Sequence, residues 1–406
     1  MRRVVISGVG AISGLGNGVA TLVDGIAAGR SAVRRMEGWE AYKGLRSLVG
    51  APARLENEKD IPRKARRSMG RMGIFAVQAS EQALTAAGIE RAELGSTRVG
   101  CIIGSTMPGA EALCETFEIM LPTKDLSLLT AMKFFQCVSH TASMNVASYL
   151  GIKGCVMATS AACASAAQAI GTGYDLIRLG RQDVVLCGGA EELHPTVTAS
   201  FDILFATSTS FNAAPDRTPR PFDRERDGLV CGEGCGIVVL EEYERAVRRG
   251  APIYAELIGY DTAGSGEHVS QSNTDGIEGC MRAALAQAGL QPDDVDYVNA
   301  HGTATRDGDA AECAAIARVF GDRVPVSSLK GHMGHTLGAS GALELIVCLA
   351  MMERGRVFAT RNLENVADDC AGVQHVRESA ARELRTIVKN CFAFGGINAV
   401  LVCRRL

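Results

Sequence analysis

Cys163 lies in MATSAACASAAQAI (157–170), where alanines and serines leave almost nothing bulky beside a thiol. Two readings fit the residues: an inert thiol filling a tight core, or a nucleophile left room for a substrate. Thr159 and Ser160 can cap a helix running from Ala164 to Leu179 and stopping at Gly180, which sets Cys163 at its first turn. Free N–H groups and the positive end of the helix dipole there favour a thiolate. Of the seven histidines, two fall in Gly/Thr turns directly after expected strands: His301 in AHGTATRDGDAAE and His335 in SSLKGHMGHTLGASG. Ligands gather at the carboxyl ends of strands in α/β sheets, so two imidazoles in equivalent turns point to a site. Lys330, five residues before His335, reads either as a surface cation or as a charge-paired lysine in a glycine-lined segment. NCFAFGGINAVLV (390–402) reads either as an ordinary tight turn or as a backbone loop that offers N–H groups to a ligand.

These residues need an α/β framework to bring them together. Short apolar runs alternate with alanine-rich helical stretches; the clearest strands are 99–104, 183–189, 236–242, 295–300 and 397–403, after a first strand in VVISGVG. An internal repeat is visible. ALTAAGIERAEL leads into VGCIIGST as ALAQAGLQPDDV leads into VDYVNAHGTAT, and the strand and small-residue turn before Cys163 match VPVSSLKGHMGHTLGASGALELI. The expected seam lies near 245–255, giving halves 1–250, with the cysteine, and 251–406, with both histidines.

A chain of 406 residues, 47% apolar and 21% charged, can bury a large core. A net charge of −3 implies no general attraction to nucleic acid or anionic membrane. Fourteen cysteines without CxxC pairs fit reduced, small hydrophobes rather than disulfides. His332 and His335 lie close together but lack a cysteine pair at finger spacing, so no metal is expected. With no long apolar stretch, the expected location is cytoplasmic.

Taken together, TSAACASA with Cys163, HGTAT with His301 and GDAAE, Lys330 and His335 in SSLKGHMGHTLGASG, and PFDRERDGLVCGEG (221–234) resemble the β-ketoacyl-acyl-carrier-protein synthases of the thiolase superfamily, in order and over essentially the whole chain. The Cys-His-His set looks like the elongating branch. The resemblance implies a thiolase-like, five-layered αβαβα fold of two duplicated halves. It also implies a dimer formed through roughly 100–165, either of two copies or with a related subunit, and an acyl carrier protein as partner. Cys163 would carry the acyl group as a thioester, and His301 and His335 would hold the malonyl thioester oxygen. The backbone N–H groups of Cys163 and Phe394 would form an oxyanion hole, Glu312 and Lys330 a buried charge pair, and Thr303 and Thr305 the pantetheine contacts. No metal or organic cofactor is implied. Met107, Leu229 and Phe394 would border or gate the acyl pocket. Arg63, Lys64, Arg66 and Arg67, with Arg71, form a basic run suited to an acidic carrier.

Departures bear on the substrate: Leu229 stands where a phenylalanine is usual, Ile397 for a threonine, Ala393 for a glycine and Cys391 for a serine. They leave fatty-acid elongation and a related polyketide or polyene pathway both open. Two other readings are a non-catalytic chain-length partner, which generally loses the nucleophile, and a degradative thiolase, for which Cys391 would be the second cysteine but which lacks HGTAT and the Lys330 segment.

Overall fold

The computed structural model describes residues 1–266 and 272–406. Ten strands carry the architecture: β1 Val4–Ser13, β2 Val99–Gly104, β3 Val156–Met157, β4 Val184–Glu191, β5 Gly234–Glu242, β6 Ala255–Gly264, β7 Tyr297–Asn299, β8 Pro325–Ser327, β9 Thr386–Ala393 and β10 Ile397–Arg404. The first five are ordered β1-β5-β4-β2-β3 and the last five β6-β10-β9-β7-β8. Directions repeat as well. In each half the first two pairings are antiparallel and the last two parallel. The repeat read from the sequence is therefore a repeat of topology. A short antiparallel ladder, Val4–Ile6 of β1 against Ala255–Leu257 of β6, joins the two sheets.

The helices that cover these sheets are α1 Arg71–Ala87, α2 Ala110–Thr123, α3 Ala131–Cys137, α4 Thr141–Leu150, α5 Ser165–Arg178, α6 Pro195–Asp202, α7 Thr274–Ala288, α8 Arg306–Phe320 and α9 Ser340–Arg354. Strand alternation decides which helix meets which face. Ile237 and Val239 of β5 pack outward with Phe75 and Val146 of α1 and α4, whereas Val238 and Leu240 pack inward with Ile170 of α5 and Ile346 of α9. On β10, Leu401 joins that same inner layer, and Val400 and Val402 face Met281 and Ile316 of α7 and α8. The result is five layers, αβαβα, with α5 and α9 buried between two sheets. Strands covered on both faces explain the nearly unbroken apolar runs.

Sequence and structure differ at the start of α5. The helix begins at Ser165 with Ala164 as its cap residue, so Cys163 precedes the helix. Thr159 and Ser160 do not cap it; the Thr159 hydroxyl donates to the Ser165 carbonyl at 2.8 Å. The Ser165 hydroxyl accepts from the Ala161 N–H at 2.9 Å and so closes the turn from the other side. Among the described residues no helix is long and apolar enough to cross a membrane.

Candidate active site

Parallel strands end on one side of each sheet, and the turns that follow β3, β7 and β8 meet between the halves. The Cys163 sulfur lies 2.9 Å from His335 Nε2. The rings of His301 and His335 stand 5.1 Å apart, edge to face at 81°. All three side chains are buried and line a cavity of about 50 Å³, together with Thr303, Thr305, Leu229 and Phe394. That volume holds a few water molecules. A second cavity, of about 300 Å³, shares Thr305, Gly308 and Phe394 with the first and opens past Phe205, Asp227 and Arg306. Phe394 therefore stands between an outer vestibule and the inner chamber. Thr303 and Thr305 are linked hydroxyl to hydroxyl at 2.9 Å.

The backbone at these turns is strained in a consistent way. Ala162, Ala304 and Leu337 have φ of +45°, +70° and +47°, and they adjoin Cys163, the His301 turn and the His335 turn. Non-glycine residues hold such angles only where surrounding structure imposes them. Buried carboxylates supply that constraint. Glu312 accepts from the N–H groups of His301 and Gly302, both at 2.7 Å. Asp309 accepts from Ala304 at 3.1 Å and from Phe222 at 2.7 Å. Glu191, at the end of β4, accepts from Thr106 at 2.8 Å, Met107 at 3.3 Å and Gly338 at 2.9 Å, tying the β2 turn to the His335 turn. Close backbone approach completes the fit: a Cβ on Gly189 would come within 2.1 Å of the Gly338 carbonyl.

Glu312 and Lys330 do not form the expected charge pair. The Lys330 ammonium is 2.6 Å from Glu344 Oε1 and donates to the His301 carbonyl at 2.5 Å. The other oxygen of Glu344 is 2.6 Å from the ammonium of Lys389 on β9. Glu312 is occupied by backbone donors and by the Asn390 amide at 3.1 Å. Glu344 and Lys389 carry a signal that sequence reading missed: each is a lone charge inside an apolar run, ALELIV and TIVKNCF, where only a paired charge survives burial.

Electrostatics correct a second expectation. Burial pushes the Cys163 thiol up to about 12, against the pull of the Lys330 charge, so the resting group is a thiol rather than a thiolate. Burial, then the charge of Lys330, holds His301 and His335 well below the usual histidine value, with Lys389 adding to both. Both imidazoles are neutral. Burial alone would raise Glu344, but its two lysines outweigh that and keep it ionised. Glu191 and Asp309 are pushed up to about 7 by burial.

An apolar cluster surrounds the thiol: Ala110, Val197, Phe201, Leu229, Cys231 and Leu337, with Met107, Ala393 and Phe394 against it. The Phe201 and Phe394 rings are 6.1 Å apart. Cys391 is buried and its sulfur faces Gly341 in the middle layer, outside the residues that line the chamber. Within the basic run, Arg66 is half-buried and pairs with Glu58 at 3.3 Å, and Arg71 pairs with Glu233 at 2.7 Å. Arg63, Lys64 and Arg67 are exposed. The patch is thus smaller than its sequence suggests.

Residues 1–246 match the β-ketoacyl synthase N-terminal domain and residues 254–364 the β-ketoacyl synthase C-terminal domain. The chain belongs to the β-ketoacyl synthase family. It is 37% identical to 3-oxoacyl-[acyl-carrier-protein] synthase 1 of Escherichia coli K12 over 100% of both chains. A solved β-ketoacyl synthase from Burkholderia phymatum STM815 shares 44% identity and superposes with a TM-score of 0.97 over 100% of both. A ketosynthase bound to a hexaketide, solved with its type II polyketide acyl-carrier protein, superposes with a TM-score of 0.91 at 31% identity, covering 100% of this chain and 99% of that one. This ketosynthase is thus a condensing enzyme of the acyltransferase class with the thiolase-type fold, in fatty-acid or polyketide elongation.

Proposed function

We propose that this ketosynthase joins a Cys163-bound acyl chain to a malonyl unit delivered on an acyl carrier protein. The observation that carries the reading is the 2.9 Å contact between the Cys163 sulfur and His335 Nε2, with His301 beside it in one buried chamber. A buried thiol needs a base at hydrogen-bond reach when an acyl thioester arrives, and His335 is that base. The thiol proton passes to His335, sulfur attacks the acyl carbon, and the proton leaves on the departing pantetheine thiol. In the second stage the malonyl carboxylate departs as CO2. The electron pair left on the α-carbon attacks the acyl carbon, and the Cys163 thiolate is released and reprotonated. His301 and His335 would donate to the malonyl thioester oxygen, and the N–H groups of Cys163 and Phe394 to the acyl oxygen. Each such donor contributes about 3 kcal/mol to the transition state. Lys330, fixed by Glu344, holds the His301 carbonyl and so orients that turn. The chemistry as written calls for no metal or organic cofactor, because decarboxylation generates the nucleophile.

The outer vestibule suits a pantetheine arm passing Thr303 and Thr305, and the apolar cluster with Met107, Leu229 and Phe394 suits the acyl chain. Arg63, Lys64 and Arg67 would dock the acidic carrier. A dimer is supported by exposed apolar residues concentrated in and between α2 and α3, at Phe117, Leu121, Leu126, Leu128 and Phe134, and by the exposed edge strand β3. A panel of acyl carriers of differing chain length, incubated with malonyl carrier and followed by mass spectrometry, tests the proposal. The expected result is a 3-oxoacyl carrier two carbons longer, and no product from Cys163→Ala. Condensation undiminished in Cys163→Ala would overturn it.

A further inference from the structure

One sulfur and two imidazole nitrogens meet here in a way that sequence spacing could not reveal, since 138 residues separate Cys163 from His301. One ligand atom from each of Cys163, His301 and His335 lies within 4.8 Å of the others, and all three residues are buried. We propose that this trio is also a three-ligand site for Zn2+, and that the ion reversibly switches the enzyme off. Tetrahedral zinc with bonds of about 2.3 Å to sulfur and about 2.0–2.1 Å to nitrogen requires sulfur–nitrogen spacings of roughly 3.6 Å. The Cys163–His335 contact at 2.9 Å must open by less than an ångström to reach it, well within side-chain rotation.

A neutral imidazole offers one ring lone pair to a metal. The thiol gives up its proton to solvent as the zinc–sulfur bond forms, leaving a thiolate ligand. A cavity of about 50 Å³ has room for the ion and one water as fourth ligand. The nearby ammonium of Lys330 opposes a dication, but it is already paired with Glu344. Resident catalytic zinc sites usually orient each histidine through its second nitrogen. Here Nδ1 of His301 and of His335 has no hydrogen-bond partner among the described residues. The site lacks that support, and this marks it as an exchangeable inhibitory one. It also competes with the reaction itself: an acylated Cys163 has no thiolate to offer.

Metal-free protein titrated with Co2+, in a reductant that does not bind metal, is the test, and it needs no substrate. At one equivalent a thiolate-to-cobalt absorption band is expected, displaced by Zn2+. It should be absent from Cys163→Ser and from wild-type protein alkylated at Cys163, and weakened at least about tenfold in His335→Ala. Added Zn2+ should suppress acyl transfer about tenfold or more at equimolar ratio, and a chelator should restore it. No band, or a band that survives in Cys163→Ser, overturns the proposal; survival would place the ion elsewhere, such as at Cys114, whose sulfur is 3.9 Å from His194 Nδ1. Because binding is read without turnover, failure here leaves the condensation reading intact, and failed condensation leaves this one intact.

Discussion

At the scale of single residues, the site depends on neutral groups kept neutral. Each buried histidine binds a proton less readily in the fold than in the unfolded chain, whose value is about 6.5. Below that pH the unfolded chain takes up protons first, and stability is lost. Glu191 and Asp309 act in the opposite sense: raised to about 7, they add stability as pH falls from about 7 towards the unfolded carboxylate value near 4. The wild-type profile therefore mixes both signs, and the difference from a variant isolates one histidine. His335→Asn should lose about 1 kcal/mol less stability than wild type between pH 6.5 and 5.5, measured by urea unfolding at each pH. Parallel profiles would mean that His335 is not held neutral. Cys163, His301 and His335 stand out in the sequence because each is a reactive residue in a small-residue turn. The partner of Lys330 does not: Glu344 sits fourteen residues on inside a helix read only as apolar, and pairing across layers leaves no trace in spacing.

Among the secondary-structure elements, the catalytic turns are held from behind by strand ends and buried carboxylates. Gly189→Ala places a methyl group against the Gly338 carbonyl at 2.1 Å, a backbone atom that cannot turn aside. Stability should fall by about 1–3 kcal/mol. Acyl transfer should fall further than folding accounts for, since Gly338 continues the chain from His335. Gly279→Ala in α7 is the contrast: its Cβ would meet nothing within 4 Å, and thermal unfolding should show up to about 1 kcal/mol gained with activity unchanged. Equal losses of stability and activity in Gly189→Ala would remove the positioning argument. The main strands were readable because burial on both faces leaves apolar runs, and β2, β5 and β10 fall within two residues of expectation. The start of α5 was not readable. Thr159 and Ser160 are good capping residues, but the strained turn at Ala162 and the Ser165 hydroxyl decide where the helix begins.

For the molecule as a whole, two surfaces should govern its company. Phe134, 64% exposed, lies in α3, and Leu128, 70% exposed, lies just before it. Phe134→Asp should convert a dimer to monomers in sedimentation analysis, and a wild-type chain that is monomeric when purified alone would favour a different, related subunit as its mate. The basic patch makes a separate claim. Lys64→Glu combined with Arg67→Glu should raise KM for carrier-bound substrates several-fold while sparing hydrolysis of small thioesters. Unchanged carrier kinetics would move the docking surface elsewhere.

The repeated strand order has a historical implication. The turn after β3 bears Cys163 and the turn after β8 bears His335, and these are the same station in the two halves. A symmetric ancestor built from two identical copies would have set like against like there, thiol facing thiol or imidazole facing imidazole. A thiol opposite an imidazole became possible only once the copies could mutate independently. The asymmetry on which this catalyst runs is, on that view, younger than its fold.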